Sequence, residues 1–261
     1  GVFLSFNPFH QLTLKLEKNL FESGRCKKFI AISQMVKNDI LKHYNCPQEN
    51  ISVVYNGVNL SRFHPENKDL HRKNIRRELK IPENSVLILF VGSGFERKGL
   101  KALLQAMQYL RSEDWRLLIM GKGKWKKYLQ FAPENLRSRI IYKEPISDIE
   151  KYYSAADIFA LPSIYEPFGN ANLEALASGL PVITTRHCGA ADIIQHGQDG
   201  LIVESPESAK ELAENINILF DPSLRRSMGQ NGRALAERFS VKTNTQEMLK
   251  TYQEIIATQE E

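Results

Sequence analysis

The sequence has few of the features that mark extracellular, metal-binding or membrane-spanning proteins. It holds three cysteines in 261 residues, Cys26, Cys46 and Cys188, and no Cys-x-x-Cys pair, which argues against a disulfide framework, a zinc site and a redox motif and favours a reducing cytosol. The longest apolar run, Val86 to Val91, is far shorter than the ~20 residues of a membrane helix. The sequence also lacks an Asp-x-Asp motif and histidines at the spacing of metal ligands. We therefore expect neither a metal nor a cofactor.

The charge balance is mildly basic. Lys and Arg number 35 against 30 Asp and Glu, a net charge of +5. This excess favours anionic ligands or an anionic membrane face, and it is too small to indicate nucleic acid as a partner. A charged leader followed by an apolar stretch is not seen at the start of the chain. We therefore expect no secretory signal and a cytoplasmic protein, peripheral on the inner membrane at most.

A repeating strand–helix pattern begins near residue 85. Short apolar runs alternate with amphipathic segments, the first of which carries Leu100, Leu103, Leu104, Met107 and Leu110 on one helical face. This pattern predicts an α/β, Rossmann-like parallel sheet with helices on both faces. Ligands of such sheets bind outside the carboxyl ends of the strands. The predicted strands are Val86–Val91, Trp115–Met120, Arg139–Tyr142, Ile158–Leu161, Val182–Thr185 and Leu201–Val203.

A different pattern precedes residue 85. Phe29–Ile32 and Ile51–Val54 are predicted strands, and Ser33 is predicted to cap a helix between them. Two strands with one or two helices cannot close a core alone. Residues Asn59 to Glu83 are highly charged and are predicted to form a linker with a short helix around Asn74–Lys80. After the last strand, helices are predicted at Pro206–Phe220, Leu224–Phe239 and Thr243–Ala257.

The first candidate site is a glycine-rich turn after the most apolar strand. It reads Gly92-Ser93-Gly94-Phe95-Glu96-Arg97-Lys98-Gly99. The glycines allow a ligand to approach the backbone closely, and Arg97 and Lys98 supply the cations that a diphosphate requires. The turn lacks the Gly-Lys-Ser/Thr of a Walker A loop and the third glycine of the dinucleotide fingerprint. From spacing alone, a turn with solvated basic residues is an equal alternative.

The second candidate site contains two glutamates separated by seven residues. Glu166 follows the strand that ends at Leu161, and Glu174 lies about one turn into a helix. The backbone N–H groups of Phe168, Gly169, Asn170 and Ala171, at the start of that helix, are predicted to hold an anion or sugar hydroxyls. Glu174 alone has a simpler explanation, because an acidic residue near a helix N-terminus complements the dipole. Glu166, in a Pro-Phe-Gly loop, has no such explanation.

Two other features carry less weight. The basic run Lys122 to Lys127 is more consistent with a solvated helix start than with a nucleic-acid patch. His187 and Cys188 follow a strand at the same sheet edge, but without a third partner they indicate a turn rather than a catalytic pair.

The two candidate sites together resemble retaining family 4 glycosyltransferases. The stretch from Glu166-Pro167-Phe168-Gly169 to Leu173-Glu174-Ala175 looks like that family's Glu-x7-Glu motif, and Arg97-Lys98-Gly99 is similar to its phosphate-binding loop. Asn56-Gly57-Val58-Asn59 resembles the stretch that joins its two domains. The glycine turn and Thr184-Thr185…Cys188-Gly189 are most similar to lipopolysaccharide core glucosyltransferases. One departure is Gly92-Ser93, where many members have Gly-Arg, and Arg97 is predicted to replace the missing cation.

The resemblance implies a GT-B fold, in which two Rossmann-like domains face each other across a cleft. Residues 1–75 would be a remnant of the N-terminal acceptor-side domain and the linker, residues 76–242 the nucleotide-sugar-binding domain, and residues 243–261 a helix that crosses back. About a hundred residues are expected upstream. The incomplete N-terminal piece would then leave strand edges and apolar faces uncovered, which predicts self-association through that remnant.

The resemblance also implies roles for individual residues. Lys98 and Arg97 would neutralise the diphosphate of the donor, and Glu166 would bind the hydroxyls of the donor sugar. Glu174 would bind the ribose hydroxyls. The glycine turn (Gly92, Ser93, Gly94) and the N–H groups of residues 168–171 would line the donor site, and the base would lie near Glu144, Pro145 and Ile146.

These roles imply a retaining hexosyltransferase. It would move glucose from UDP-glucose to a lipopolysaccharide core or similar glycan. The alternative is a nucleotide-sugar-binding fragment or subunit that needs a separate acceptor domain. We expect the 261 residues alone to bind donor without transferring sugar, since the reaction needs both walls of the cleft.

Overall fold

The computed structural model describes residues 7–257. The N-terminal part contains helix α1 (Pro8–Glu22), strand β1 (Phe29–Ala31), helix α2 (Gln34–His43), strand β2 (Ile51–Val53) and helix α3 (Asn67–Glu78). The remaining elements alternate as β3 (Val86–Val91), α4 (Leu100–Ala106), β4 (Trp115–Met120), β5 (Ile140–Lys143), α5 (Ile149–Ala155), β6 (Ile158–Ala160), α6 (Asn170–Ala177), β7 (Val182–Thr185) and β8 (Gly200–Val203), and end with α7 (Ala209–Ile218), α8 (Pro222–Glu237) and α9 (Val241–Ala257).

The large sheet has the strand order β5-β4-β3-β6-β7-β8, and every neighbouring pair is parallel. This confirms the predicted Rossmann-like sheet. Its strands are mostly apolar because helices cover both faces, and Leu87 to Phe90 at its centre are fully buried. The strand order reverses between β3 and β6, and ligands of doubly wound sheets bind beside that reversal, at the carboxyl ends of the strands.

A second, two-stranded sheet pairs β1 with β2 in parallel. Its small core contains Ala31, Cys46 and Ile51, with the α2 side chains packed on it. Helix α1, which the sequence pattern did not predict, is joined to this piece by ring contacts of Phe21 with Phe29 and Tyr44.

The segment 59–83, predicted as a linker with a short helix around Asn74–Lys80, contains a longer helix, α3, which packs on α5. Arg72 and Arg76 of α3 form ion pairs with Asp157 at 2.7 and 3.1 Å and also donate to backbone carbonyls. The Asp157 carboxylate in turn accepts from the Leu87 N–H at 2.8 Å. These long-range contacts join α3 to the large sheet, and a pattern search along the chain cannot detect them.

Helix α9 starts two residues earlier than predicted and is tied to the segment between the two sheets. Val58 and Ser240 form a parallel bridge, and the Asn244 amide donates to the Tyr55 carbonyl at 2.7 Å. Gly57 lies so close to Ser240 that a Cβ there would be 2.6 Å from its carbonyl oxygen. The predicted division at residues 75/76 and 242/243 stays a prediction. Within residues 7–257, no helix is long and apolar enough to span a membrane.

Candidate functional site

The loops after β3 and β6 meet at the reversal of strand order. The Ile164 N–H donates to the Arg97 carbonyl at 2.8 Å and so joins the two loops. Gly99 has φ +73°, and a Cβ there would stand 1.8 Å from the Pro162 carbonyl oxygen. Only glycine allows this approach. The glycine therefore sets how closely the two loops pack.

This packing brings together three of the predicted site residues. Glu166 forms ion pairs with Lys98 and with Arg97, the latter at 2.8 Å. The Lys98 and Glu166 side chains are each 12% exposed, whereas Arg97 is 48% exposed. Arg97 also donates to the Tyr165 carbonyl at 2.9 Å. Two cations against one carboxylate leave one net positive charge at the mouth of the crevice.

The loop after β7 holds the backbone of Glu166 in position. The Glu166 N–H donates to the His187 carbonyl, and the Gly189 N–H donates to the Glu166 carbonyl, both at 2.9 Å. The Cys188 thiol is fully buried against the Phe168 carbonyl at 3.1 Å. Burial raises its pKa to about 11, so it stays protonated and serves as packing. The sequence reading of His187 and Cys188 as a turn agrees with these contacts, but it did not reveal their pairing with Glu166.

Glu174 belongs to a separate polar contact on α6. The Tyr153 hydroxyl, buried under the helix, donates to its carboxylate at 2.8 Å. Burial raises the pKa of Glu174, although the Tyr153 hydrogen bond and the charge of Arg62 oppose that shift. Burial, followed by the charge of Glu174, raises the pKa of Tyr153 well above its usual range. The Tyr153 hydroxyl therefore stays protonated and donates to Glu174, a contact that sequence spacing did not predict.

The glycine turn itself is open. Gly94 has φ +75° and free space where a Cβ would stand, and Gly92 lies against the Lys98 side chain, 3.2 Å from a built Cβ. The Ser93 hydroxyl oxygen accepts from the Lys122 N–H at 3.0 Å. Ser93 thus joins the turn to the loop after β4 and supplies no charge.

The predicted base-contacting residues 144–146 form an exposed segment after β5, at the same edge of the sheet. The Tyr142 hydroxyl lies 2.8 Å from a Glu144 carboxylate oxygen and 2.8 Å from the Gly121 carbonyl oxygen. The Tyr142 ring stacks on Trp125 at 4.7 Å. Within residues 7–257, no hydrogen bond or ion pair joins Pro145 or Ile146 to the cluster of Lys98 and Glu166.

The N-terminal piece also reaches this site, which sequence analysis missed. The Ser33 hydroxyl donates to the Pro167 carbonyl at 2.7 Å, and the Asn56 amide donates to the Asn170 side chain at 2.8 Å. The Tyr165 hydroxyl donates to Asp39 at 2.9 Å. Burial and that hydrogen bond raise the pKa of Tyr165 to about 12. These partners lie more than a hundred residues apart along the chain, so no local pattern links them.

Metal-ligating side chains are scattered. Across residues 7–257, no group of three or more His, Cys, Asp or Glu is placed to hold a metal ion. Among the described residues, Lys98, Arg97 and Glu166 form an ion-paired cluster at the crevice.

Comparison with known proteins adds sequence relatives. The model of Glycosyl transferases group 1 matches residues 71–235, and that of Glycosyltransferase Family 4 matches residues 2–62. The lipopolysaccharide glucosyltransferase WaaG of Escherichia coli is 29% identical over 226 residues, 85% of this chain and 60% of WaaG. The D-inositol 3-phosphate glycosyltransferase of Corynebacterium kroppenstedtii is 28% identical over 242 residues, 88% of this chain and 53% of that protein. The chain thus spans little more than half the length of these relatives.

Solved structures give the same fold. A crystal structure of WaaG matches with a TM-score of 0.84 and 26% identity, covering 95% of this chain and 68% of that one. HepE of Anabaena, solved in complex with UDP-glucose, matches with a TM-score of 0.81 and 24% identity, covering 95% and 70%, which indicates a shared fold. The large sheet is the C-terminal domain of a GT-B fold. Since the first family model covers more than half of its 261 residues, the chain belongs to the group 1 glycosyl transferases.

Proposed function

We propose that this chain binds a nucleotide sugar and forms the donor side of a retaining glycosyltransferase. The observation that carries the proposal is the cluster of Lys98, Arg97 and Glu166 at the reversal of strand order. A crevice at this point of a doubly wound sheet is where such folds bind nucleotides.

The charge at the crevice suits a diphosphate. Lys98 and Arg97 would neutralise it as the bond between the sugar and the phosphate breaks, because cations that are already in place stabilise the charge that develops there. The start of α6 adds backbone N–H groups of Asn170 and Ala171, which have no intrahelical acceptor. These groups would hold the distal phosphate and the sugar.

The two glutamates would have different tasks. Glu166, beside Lys98, would accept hydrogen bonds from the sugar hydroxyls, and Glu174 would accept them from the ribose. Glycosidases instead place two carboxyl groups on either side of one bond. Here each glutamate has its own partner, Lys98 for Glu166 and Tyr153 for Glu174, which favours transfer over hydrolysis.

The finer assignment is to UDP-glucose as donor and a lipopolysaccharide core or similar glycan as acceptor. It is supported by the similarity to WaaG, a lipopolysaccharide glucosyltransferase, and by the fold shared with HepE, which binds UDP-glucose. The relative that acts on D-inositol 3-phosphate indicates that acceptors vary among similar proteins. Assays of transfer should therefore compare lipopolysaccharide core with inositol phosphate.

The decisive test is donor binding by a Lys98→Ala variant. Losing one charge-assisted contact to phosphate reduces the binding free energy by roughly 1.5–3 kcal/mol, so UDP should bind about ten- to a hundredfold more weakly. Isothermal titration calorimetry measures the change. Lys101→Ala is the matched control, because Lys101 is exposed on the first turn of α4. Equal UDP affinity in the Lys98 variant and the wild type would remove Lys98 from the site.

Donor binding should also persist without divalent cations. Lys98 and Arg97 stand where a metal would otherwise neutralise the diphosphate, so we expect the Kd for UDP in EDTA to stay within about twofold of its value in magnesium. The same calorimetric titration in the two buffers checks this. A strict requirement for magnesium or manganese would contradict the proposed role of the two cations.

A further inference from the structure

A second cavity lies at the end of the large sheet opposite the crevice, where the strands begin. Its volume is about 380 Å³, and it is formed between α3, α8 and the turn that precedes β7. Asp157, which lines it, comes just before β6, and Pro181 comes just before β7. The cavity is thus at the amino ends of the strands. Lys98 and Glu166 instead follow the carboxyl ends of β3 and β6. This cavity and the crevice that contains Lys98 therefore lie at opposite ends of the strands.

Cations dominate the lining of this cavity. Four of its side chains are basic, namely Lys68 of α3 and Arg225, Arg226 and Arg233 of α8. Asp157 is the one carboxylate among the lining residues. A neighbouring hollow of about 600 Å³ shares Lys68 and extends the basic surface along α3.

The acidic partners of these cations are already in use. Asp157 is paired with Arg72 and Arg76, and Arg233 is paired with Glu237 at 3.0 Å and donates to the Ala177 carbonyl at 2.7 Å. Neither Lys68 nor Arg226 forms an ion pair with a carboxylate in the part of the chain that the structure describes. The cavity therefore carries uncompensated positive charge.

Burial makes that charge costly. Lys68 is half-buried, and burial, followed by the charge of Arg72, lowers the pKa of its ammonium group. Burial also lowers the pKa of Arg225, which donates to the Leu219 carbonyl at 2.6 Å. Charged groups that are partly withdrawn from water and face one another are stabilised when an anion binds between them.

We propose that this cavity binds a phosphoryl anion, a phosphate monoester or a diphosphate, through Lys68, Arg225 and Arg226. Its volume is within the range of small-ligand sites. The anion is either a free phosphate compound or a phosphorylated lipid headgroup, and both offer the same charged oxygens. Binding here does not depend on the donor function proposed above.

The test is calorimetric titration with inorganic pyrophosphate of the wild type and of the double variant Lys68→Gln/Arg226→Gln. Each lost cation should weaken binding about tenfold or more. Lys250→Gln is the control for the change of charge, since Lys250 is exposed on α9. Lys98→Ala distinguishes the two sites, because pyrophosphate held in this cavity should bind that variant normally. Urea denaturation checks that the double variant is folded.

A second arm uses vesicles of phosphatidylcholine with and without phosphatidic acid. Pyrophosphate binding that is lost in the double variant supports the site for a free anion. Cosedimentation with phosphatidic acid vesicles that is lost in the double variant supports it for a lipid headgroup. The proposal is overturned if the double variant binds both probes like the wild type, if the wild type binds neither, or if only Lys98→Ala reduces binding.

Discussion

Individual side chains at the crevice are held by partners that also restrict their chemistry. Glu166 is balanced by Lys98 and Arg97, whereas Glu174 has a neutral phenol as its hydrogen-bond partner. A carboxylate that is buried beside a neutral donor pays a desolvation cost that an ion pair would offset. Glu174 is therefore a residue at which ligand binding and folding stability are opposed.

Replacing Glu174 with Gln should stabilise the folded chain at neutral pH. The pKa of Glu174 is raised on folding, so the stability it contributes is complete below its unfolded pKa and is lost as the pH rises through the folded value. Gln keeps an oxygen for the Tyr153 hydroxyl and carries no charge. We expect a higher Tm than the wild type at pH 7, with the difference disappearing below the ordinary pKa of 4.5.

Calorimetric melting curves across this pH range measure the effect. Glu247→Gln on the exposed face of α9 is the control. A lower Tm for Glu174→Gln at pH 7 would show that the carboxylate gains more from its neighbours than it loses by burial.

At the scale of elements, the crevice depends on where helices and loops begin. Gly99 immediately precedes α4 and touches the loop after β6, and Gly169 immediately precedes α6 with φ +85°. Both glycines turn the chain from a strand end into a helix with a left-handed residue that other side chains avoid. The two loops that carry Lys98 and Glu166 meet because of these turns.

Gly99→Ala should be far more damaging than Gly94→Ala. Both positions have positive φ, which costs about 1–2 kcal/mol for alanine, but only at Gly99 would the new Cβ meet a backbone oxygen, at 1.8 Å. Relieving that clash adds roughly 1–3 kcal/mol. Urea unfolding should give a loss of about 3 kcal/mol for Gly99→Ala and about 1–2 kcal/mol for Gly94→Ala. Equal losses would mean that the loops move apart at no cost.

At the scale of the whole molecule, apolar surface is buried unevenly along the chain. The large sheet buries both faces, while the two-stranded sheet has a core of a few residues. Helix α1 leaves a stripe of apolar side chains largely exposed, with Phe9 77%, Leu12 55%, Leu16 59% and Leu20 52% accessible. Contiguous apolar surface of this kind favours association.

We therefore predict that the 261-residue chain self-associates through α1. Leu12→Lys/Leu16→Lys should sediment as a monomer at concentrations where the wild type sediments faster, because two charges cannot be buried in an apolar contact. Analytical ultracentrifugation measures the difference. Leu70→Lys, which replaces an exposed leucine on α3, is the matched control. A wild type that remains monomeric over the same concentrations would contradict this prediction.

The sequence alone was sufficient to predict the parallel sheet, and it selected Lys98, Arg97 and Glu166 as candidate site residues. Apolar runs such as Val86–Val91 are local signals, since a doubly covered strand must be hydrophobic on both faces. The glycine turn and the seven-residue spacing between Glu166 and Glu174 are also local. The strand-end rule then predicted that Lys98 and Glu166 face the same edge.

Tertiary structure alone decided which distant groups meet those residues. Three contacts join segments that no periodicity connects. Tyr153 donates to Glu174, the loop after β7 pairs with Glu166, and Ser33 donates to the Pro167 carbonyl. The basic cavity likewise joins Lys68 with Arg225 and Arg226 from helices over 150 residues apart. Periodicity reports which face of an element is buried, whereas the packing of whole elements determines which side chains share a site.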